Sequence, residues 1–420
     1  MSTCIHNGQL EADILSILKA HLDPKDLSGF LAELKDAEAY EKIVLREPQQ
    51  QPVDGENGTS RVGERLDHLI TFLKGRVSET ETCDALLEIG SAFKRYGDLH
   101  RAEELFTCIL SNGLTMKDER YVGEAHLGRG EVYCLLGRWK DSVTDLNRSR
   151  RIFTRMKEHS LLGKVENIIG TGYAEQGKLW EARRHFRLAL EMFERVEEKQ
   201  MTGMALMNLG IVQNIMGQYD VALAQYNRAK PYFEGTGNLV RLAELHHNIG
   251  MSYALKSSFT EAFREFDISI CLSTRIGNMN LLGLAMLGKA QCLFQLRDFS
   301  MALKLIAQAM GCFNASHDRL SLADAYRVRG MIHRELGKFR YAEVCLRTSL
   351  RINQELDNRL NIAETTFEIG VLECKRGRTK EAMNDFCGAL QCFKKVGALK
   401  EVARVETIMN KMREKENASQ

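Results

Sequence analysis

The chain repeats itself every 40 residues, and no other feature limits its fold as strongly. A small residue stands at Cys83, Gly123, Gly163, Gly203, Ala243, Gly283, Ala323, Ala363 and Ala403. A second small series runs Gly90, Gly130, Gly170, Gly210, Gly250, Ala290, Gly330 and Gly370. A third runs Ala102, Ser142, Ala182, Ala222, Ala262, Ala302, Ala342 and Ala382. Bulky residues keep the same phase. Leu99, Trp139, Leu179, Tyr219, Phe259, Phe299 and Phe339 precede the third series by three, with Thr379 the exception. Phe106, Leu146, Phe186, Tyr226, Phe266, Ile306, Leu346 and Phe386 follow it by four. Between the second and third series lies a turn glycine at Gly97, Gly137, Gly177, Gly217, Gly337 and Gly377, replaced by Ser257 and Arg297. A unit this short cannot bury its apolar surface alone and has to stack on its neighbours.

Each unit reads as two helices. The first runs from the first small series to the turn, for example 203–216, and the second from the bulky residue for some 16 residues, for example 219–234. Only 4 of the 420 residues are proline, and Ala, Leu, Glu, Lys and Arg dominate, which favours helix. Glycine inside a helix costs about 1 kcal/mol relative to alanine. Its retention in the second series therefore predicts a close approach of two helices that a methyl group would obstruct. The aromatic stripe is core.

The organisation that follows is an acidic helical segment at 1–47, a flexible linker at 48–60, a capping half-repeat at 61–80, eight 40-residue repeats at 81–398, and a capping helix with tail at 399–420. Val62, Leu66, Leu69, Ile70 and Leu73 continue the second-helix register upstream, and Ala403, Ile408, Met409 and Met412 continue the first-helix register downstream. Asp23, before Pro24, is placed to cap a helix. The linker PQQQPVDGENGTS holds Pro, Gly, Gln and acidic residues without periodicity.

Several function classes fall away. The formal net charge is +2, which gives no reason to expect nucleic acid as a partner. It combines a net −6 over residues 1–59 with a net +8 over the rest. No run of eighteen apolar residues exists, and the N-terminus lacks the pattern of a secretory signal, so a cytoplasmic protein is expected. The 11 cysteines are odd in number and include no CxxC, which predicts buried reduced thiols and no zinc site. No phosphate-binding loop, HExxH or GxSxG occurs, so neither catalytic residues nor a cofactor are expected. His246 and His247 are adjacent on a helix, point apart, and read as a solvated pair. The carboxylates read as solvated helix faces. Arginine runs at Arg148, Arg150, Arg151 and at Arg183, Arg184, Arg187 lie on second helices and serve solubility.

The spacing of Gly210, Tyr219, Ala222, Tyr226 and Ala229, and of Gly170, Tyr173, Ala182, Phe186 and Ala189, resembles the tetratricopeptide repeat. The resemblance covers about residues 80–415. The unit is 40 residues rather than 34, the family's proline near the end of the second helix is missing, and Gly237-Asn238 and Gly277-Asn278 look like the 40-residue subgroup. The resemblance implies an all-α fold, a right-handed α-solenoid of about eight helix hairpins with capping helices, whose first helices line a concave groove. It places three positions per unit in that groove. Three before the second-series residue are Leu87, Leu127, Asn167, Met207, His247, Leu287, Arg327 and Phe367. One after it are Ser91, Glu131, Thr171, Ile211, Met251, Gln291, Met331 and Val371. Four after it are Lys94, Cys134, Ala174, Asn214, Ala254, Phe294, Arg334 and Cys374. Asn208 and Asn248 fall two before it, in the subgroup's Asn-Leu-Gly and Asn-Ile-Gly signature. An amide both donates and accepts, so it suits the backbone of an extended peptide. The expected peptide-binding residues are Asn167, Met204, Met207, Asn208, Ile211, Asn214, His247, Asn248, Met251, Arg327 and Arg334, with the methionines as an adaptable floor and the arginines facing an acidic group. The function expected is a non-enzymatic scaffold or adaptor that binds a protein or peptide segment, acting as a monomer, with the acidic N-terminal segment as an intramolecular contact. The alternatives are a peptide-gated regulator like the bacterial response-regulator phosphatases and pheromone receptors, and an architectural subunit.

Overall fold

A computed structural model describes residues 2–28, 69–396 and 398–418. Among the described residues every regular element is a helix. The chain forms two compact units, Met1–Ala205 and Leu206–Gln420, with the division inside a helix. Residues 29–68, which include the linker at 48–60 and Val62 and Leu66 of the half-repeat, lie outside the described residues.

The first unit holds α1 (Ser2–His21), short helical stretches at 24–28 and 69–74, and then α2 (Glu79–Arg95), α3 (Leu99–Met116), α4 (Glu119–Leu135), α5 (Trp139–Met156), α6 (His159–Glu175), α7 (Leu179–Arg195) and the start of α8 (Lys199–Ile215). The second unit holds the rest of α8, then α9 (Tyr219–Thr236), α10 (Leu239–Leu255), α11 (Phe259–Arg275), α12 (Met279–Gln295), α13 (Phe299–Ser316), α14 (Arg319–Glu335), α15 (Phe339–Glu355), α16 (Arg359–Lys375), α17 (Thr379–Val396) and α18 (Leu399–Ala418). Pro231 lies inside α9, so one second helix does contain a proline, although it sits several residues before the helix end.

The turns explain why the period holds at 40. A left-handed residue closes a helix every 20 residues: Gly97, Lys117, Gly137, Lys157, Gly177 and Glu197 in the first unit. Gly217, Gly237, Ser257, Gly277, Arg297, His317, Gly337, Asp357 and Gly377 continue the count in the second. The bonds are the same each time. The Gly97 amide donates to the Lys94 carbonyl at 3.2 Å and the Asp98 amide to the Phe93 carbonyl at 2.9 Å, the paired closure of a Schellman motif. Ser257 and Arg297, which break the glycine series, still hold φ at 61° and 63°. The turn therefore imposes the left-handed conformation, and glycine only makes it cheaper. The next residue frequently caps the following helix. Asp98, Asp118, Asn238, Asn278, Asp298, Asp318 and Asn358 each accept a backbone N–H, worth about 1 kcal/mol apiece. One inserted residue would rotate every downstream apolar stripe by about 100°.

Six of the seven second-series glycines sit where a methyl group would collide, and at Gly90 it would be tight, 3.2 Å from the Phe106 ring. A Cβ on Gly210 would lie 2.4 Å from the Tyr226 ring, and one on Gly170 would lie 2.8 Å from Phe186. Ala290, the exception, shares its core with Ile306. Ser142, the hydroxyl in the third small series, donates to the Gly130 carbonyl at 2.7 Å.

The two ends are finished differently. In α18, Val405 and Met409 are buried, whereas Ala403 is exposed. In the first unit, Leu10, Leu18 and Leu22 share a core with Leu69, Phe72, Leu73, Leu86 and Ile89. Asp23 caps the stretch after it, accepting from the Lys25 and Asp26 amides. Asp13 accepts from Arg95 at 2.9 Å and from the Tyr96 hydroxyl at 3.1 Å.

Three expectations change. Of the ten described cysteines, all free, only Cys83, Cys134, Cys292 and Cys345 are buried, and Cys271 is exposed on a second helix. The histidine pair is not solvated: His246 is buried against Glu265 at 2.6 Å, and burial pulls the His247 imidazole down to about 4. Some carboxylates are also interior. Asp145 bonds His126 at 3.1 Å and Arg129 at 2.6 Å, and Glu166 bonds His185 at 2.6 Å. These acid–imidazole pairs occupy one pair of repeat positions, with the partners exchanged in the Glu166–His185 repeat. They cross-link the two helices of a hairpin.

Candidate functional site

Within each unit, first helices of successive repeats touch one another: α2 with α4 and α4 with α6, then α10 with α12, α12 with α14 and α14 with α16. Second helices pack mainly on the first helices that flank them. The first helices therefore form the inner layer, and among the described residues each unit has a pocket upon it.

The pocket of the second unit has a volume of about 240 Å³ and is lined by Met251, Ala254, Leu255, Phe259, Gln291, Cys292, Phe294, Gln295, Arg327, Val328 and Met331. The repeat explains its construction. Met251, Gln291 and Met331 all follow the second-series residue by one, Ala254 and Phe294 follow it by four, and Arg327 precedes it by three. Three adjacent first helices thus present equivalent positions to one cavity. Two methionines and two phenylalanine rings give it a soft apolar wall. Phe294 and Phe259 come from different helices, α12 and α11. The Arg327 guanidinium reaches Asp324 and Glu364, each at 3.0 Å, through one nitrogen, while its buried Nε has no partner. Burial pushes the Glu364 carboxyl up, and Arg327 opposes that shift.

The pocket of the first unit is larger, about 590 Å³, and is charged. Leu87, Ser91, Lys94, Leu127 and Glu131 line it from the equivalent positions, joined by Glu88, Glu124 and Lys164. Asp13, Ser16 and Ile17 of α1 complete its wall. Lys94 pairs with Glu131.

The residues expected to bind a peptide are distributed as follows. Met251 and Arg327 line the second unit's pocket. Asn208, Ile211 and Asn248 are half-buried on α8 and α10, and Met207 is buried. The Asn214 side-chain Oδ1 accepts from the Ser252 hydroxyl at 3.0 Å. The His247 ring stands 5.8 Å from Phe266, with Nδ1 buried and unpartnered. Arg334 is buried, 6 % exposed, in an ion pair with Glu368, and also reaches Glu335 at 3.2 Å. Asn167 and Met204 are half-buried in the first unit. Phe259, Leu255 and Phe294 complete the pocket but were absent from the expected set. Phe294 stood in the right repeat series, and only the emphasis on amides passed over it. Phe259 comes from a second helix, which the groove rule does not sample.

Burial pushes the thiols of Cys83 and Cys292 up to about 11 and that of Cys134 up to about 12, so they stay protonated at neutral pH. No helix among the described residues is long and apolar enough to cross a membrane.

The tetratricopeptide-repeat family model matches residues 121–195 and 162–235. Residues 121–235 thus match the tetratricopeptide repeat, and the stacked hairpins before and after them continue the same architecture. Among solved structures, the apo form of the quorum sensor NprR from B. thuringiensis aligns with a TM-score of 0.62 at 16 % identity, covering 88 % of this chain and 99 % of that one. A Rap protein in complex with Competence and Sporulation Factor gives 0.56 at 14 %, covering 81 % and 100 %. Aspartyl phosphate phosphatase F from Bacillus subtilis gives 0.54 at 16 %, covering 84 % and 94 %. At these identities the likeness is one of fold.

Proposed function

We propose that the chain is a non-catalytic scaffold that holds a peptide segment of a partner protein on its first helices, anchored in the second unit. The observation that carries this reading is the pocket formed by Met251, Phe259, Phe294 and Met331 beside Arg327. Its volume suits one large apolar side chain, and the chain next to that anchor would continue along α10 toward α8. There Asn248 offers a half-buried amide that no described group engages. Asn208, Asn214, His247 and Ile211 extend the same face. A Rap protein of similar fold in complex with Competence and Sporulation Factor supports this reading. The peptide-gated regulator is the same reading with a conformational output added.

The test is selection of linear peptides from a random displayed library on the full chain, followed by titration of the best binder. Enriched peptides should share an apolar anchor, and Phe294→Asp or Met331→Asp should weaken binding by at least about tenfold with unchanged helix content. Equal affinity for both variants would remove the pocket from the function.

A further inference from the structure

The outer face of α7 carries a feature that the groove does not use. Trp180 is 62 % exposed there, an unusual place for the largest side chain. The Arg183 guanidinium lies 4.2 Å from the centre of its ring. Arg184 and Arg187 follow at one-turn spacing, both exposed, and no carboxylate among the described residues pairs with either. Trp180, Arg183, Arg184, Arg187, Leu188 and Glu191 enclose a shallow pocket of about 230 Å³. Glu191 lies within ion-pair distance of Arg195, at 3.7 Å, and of neither Arg184 nor Arg187.

We propose that this face of α7 is a second docking surface, for an acidic segment of a partner protein that places an apolar side chain against Trp180. Exposed tryptophan and arginine are the residue types that dominate binding energy when an interface covers them. The uncompensated guanidinium groups set the charge of the occupant, because each can take a carboxylate in a paired hydrogen bond. The Trp180 ring and Leu188 supply an apolar floor that a phosphate backbone would not use. Glu181 and Glu191 bracket the arginines on the same helix, which disfavours a continuous polyanion and favours a short acidic stretch. The chain's formal net charge of only +2 points the same way. The surface is built from one helix and does not depend on the peptide pocket of the second unit.

Trp180 reports on its own occupancy. The chain has two tryptophans, so a Trp139→Phe variant of the full chain leaves Trp180 as the only indole. The probe is a synthetic twelve-residue glutamate-rich peptide with one central leucine. Controls are the same peptide with glutamine for glutamate, and a twelve-nucleotide oligothymidylate. The expected result is a saturable blue shift with the glutamate peptide that weakens with salt. Calorimetry on the unmodified chain should show the same affinity. Arg184→Glu with Arg187→Glu should lower it by at least about tenfold, and Phe294→Asp should leave it unchanged. Equal binding of the glutamine peptide, equal binding of the oligothymidylate, or indifference to the arginine substitutions would each overturn the proposal.

Discussion

The inner faces of the two units are built from identical repeat positions and carry opposite chemistry. In the first unit, the position four after the helix glycine is Lys94, which pairs with Glu131 at a half-exposed site. In the second unit the same position holds Phe294 in one repeat and Arg334 in another, and Arg334 is buried with Glu368. The first pocket is charged and walled in part by α1, whereas the second is apolar and lined by repeats alone. The turns and the small-residue series fix where a side chain stands. They leave its chemistry free, and that freedom is what lets one frame carry two different surfaces.

The sharpest way to test the contrast is through its two ion pairs. Arg334→Leu should destabilise the second unit by about 3 kcal/mol, because Glu368 is left buried without its partner. Lys94→Ala should cost less than about 1 kcal/mol, since its pair is partly solvated. Urea unfolding of both variants measures the difference, and equal losses would break the comparison. The shared frame predicts the opposite pattern, similar effects in both units. Gly128→Ala and Gly288→Ala are equivalent substitutions that place a methyl group 2.3 Å from Phe106 and 2.7 Å from Phe266. Each should lower stability by about 1–3 kcal/mol, the overpacking cost exceeding the gain in helix propensity.

Acid should also separate the units. Burial holds the folded His247 imidazole near 4, below its usual 6.5. Its neutral form is therefore favoured by folding. The stability that this provides is complete above pH 6.5 and is lost as the pH falls toward 4. The equivalent residues of the first unit, Leu87 and Leu127, do not titrate. Thermal unfolding from pH 7 to 4 should show a steeper decline in the wild type than in His247→Gln, and parallel curves would remove His247 as the cause. The smallest effect is expected at Gly235, a helical glycine with no atom near its missing Cβ. Gly235→Ala should raise stability by up to about 1 kcal/mol, measured by the same urea titration.

Much of this fold could be read from residue spacing. Small, bulky and turn positions recur in one phase, and the collisions predicted at Gly170 and Gly210 are present with Phe186 and Tyr226. The rhythm of 20 within the period of 40 was less visible, because Lys117, Lys157, Glu197, His317 and Asp357 do not look like turn residues. Backbone hydrogen bonds define those turns, and composition does not report them. The candidate site was legible in register but not in depth. Spacing placed Arg327 and Arg334 on the same face, yet it carried no sign that Asp324, Glu364 and Glu368 would come from the same and neighbouring helices to engage them. His247 likewise looked solvated, because nothing in a single helix reveals the ring of Phe266 packed over it from the next.

The uniform turns have a consequence for how such a chain can change length. Removing residues 239–278 would join Asn238 to Met279, where Asn278 now precedes Met279. The new seam would restore the same cap, the same left-handed glycine before it, and the same closing bonds. Blocks of 40 are therefore interchangeable parts, in gene duplication as much as in the laboratory. Each carries its own inner-surface residues to whatever place in the row it is moved.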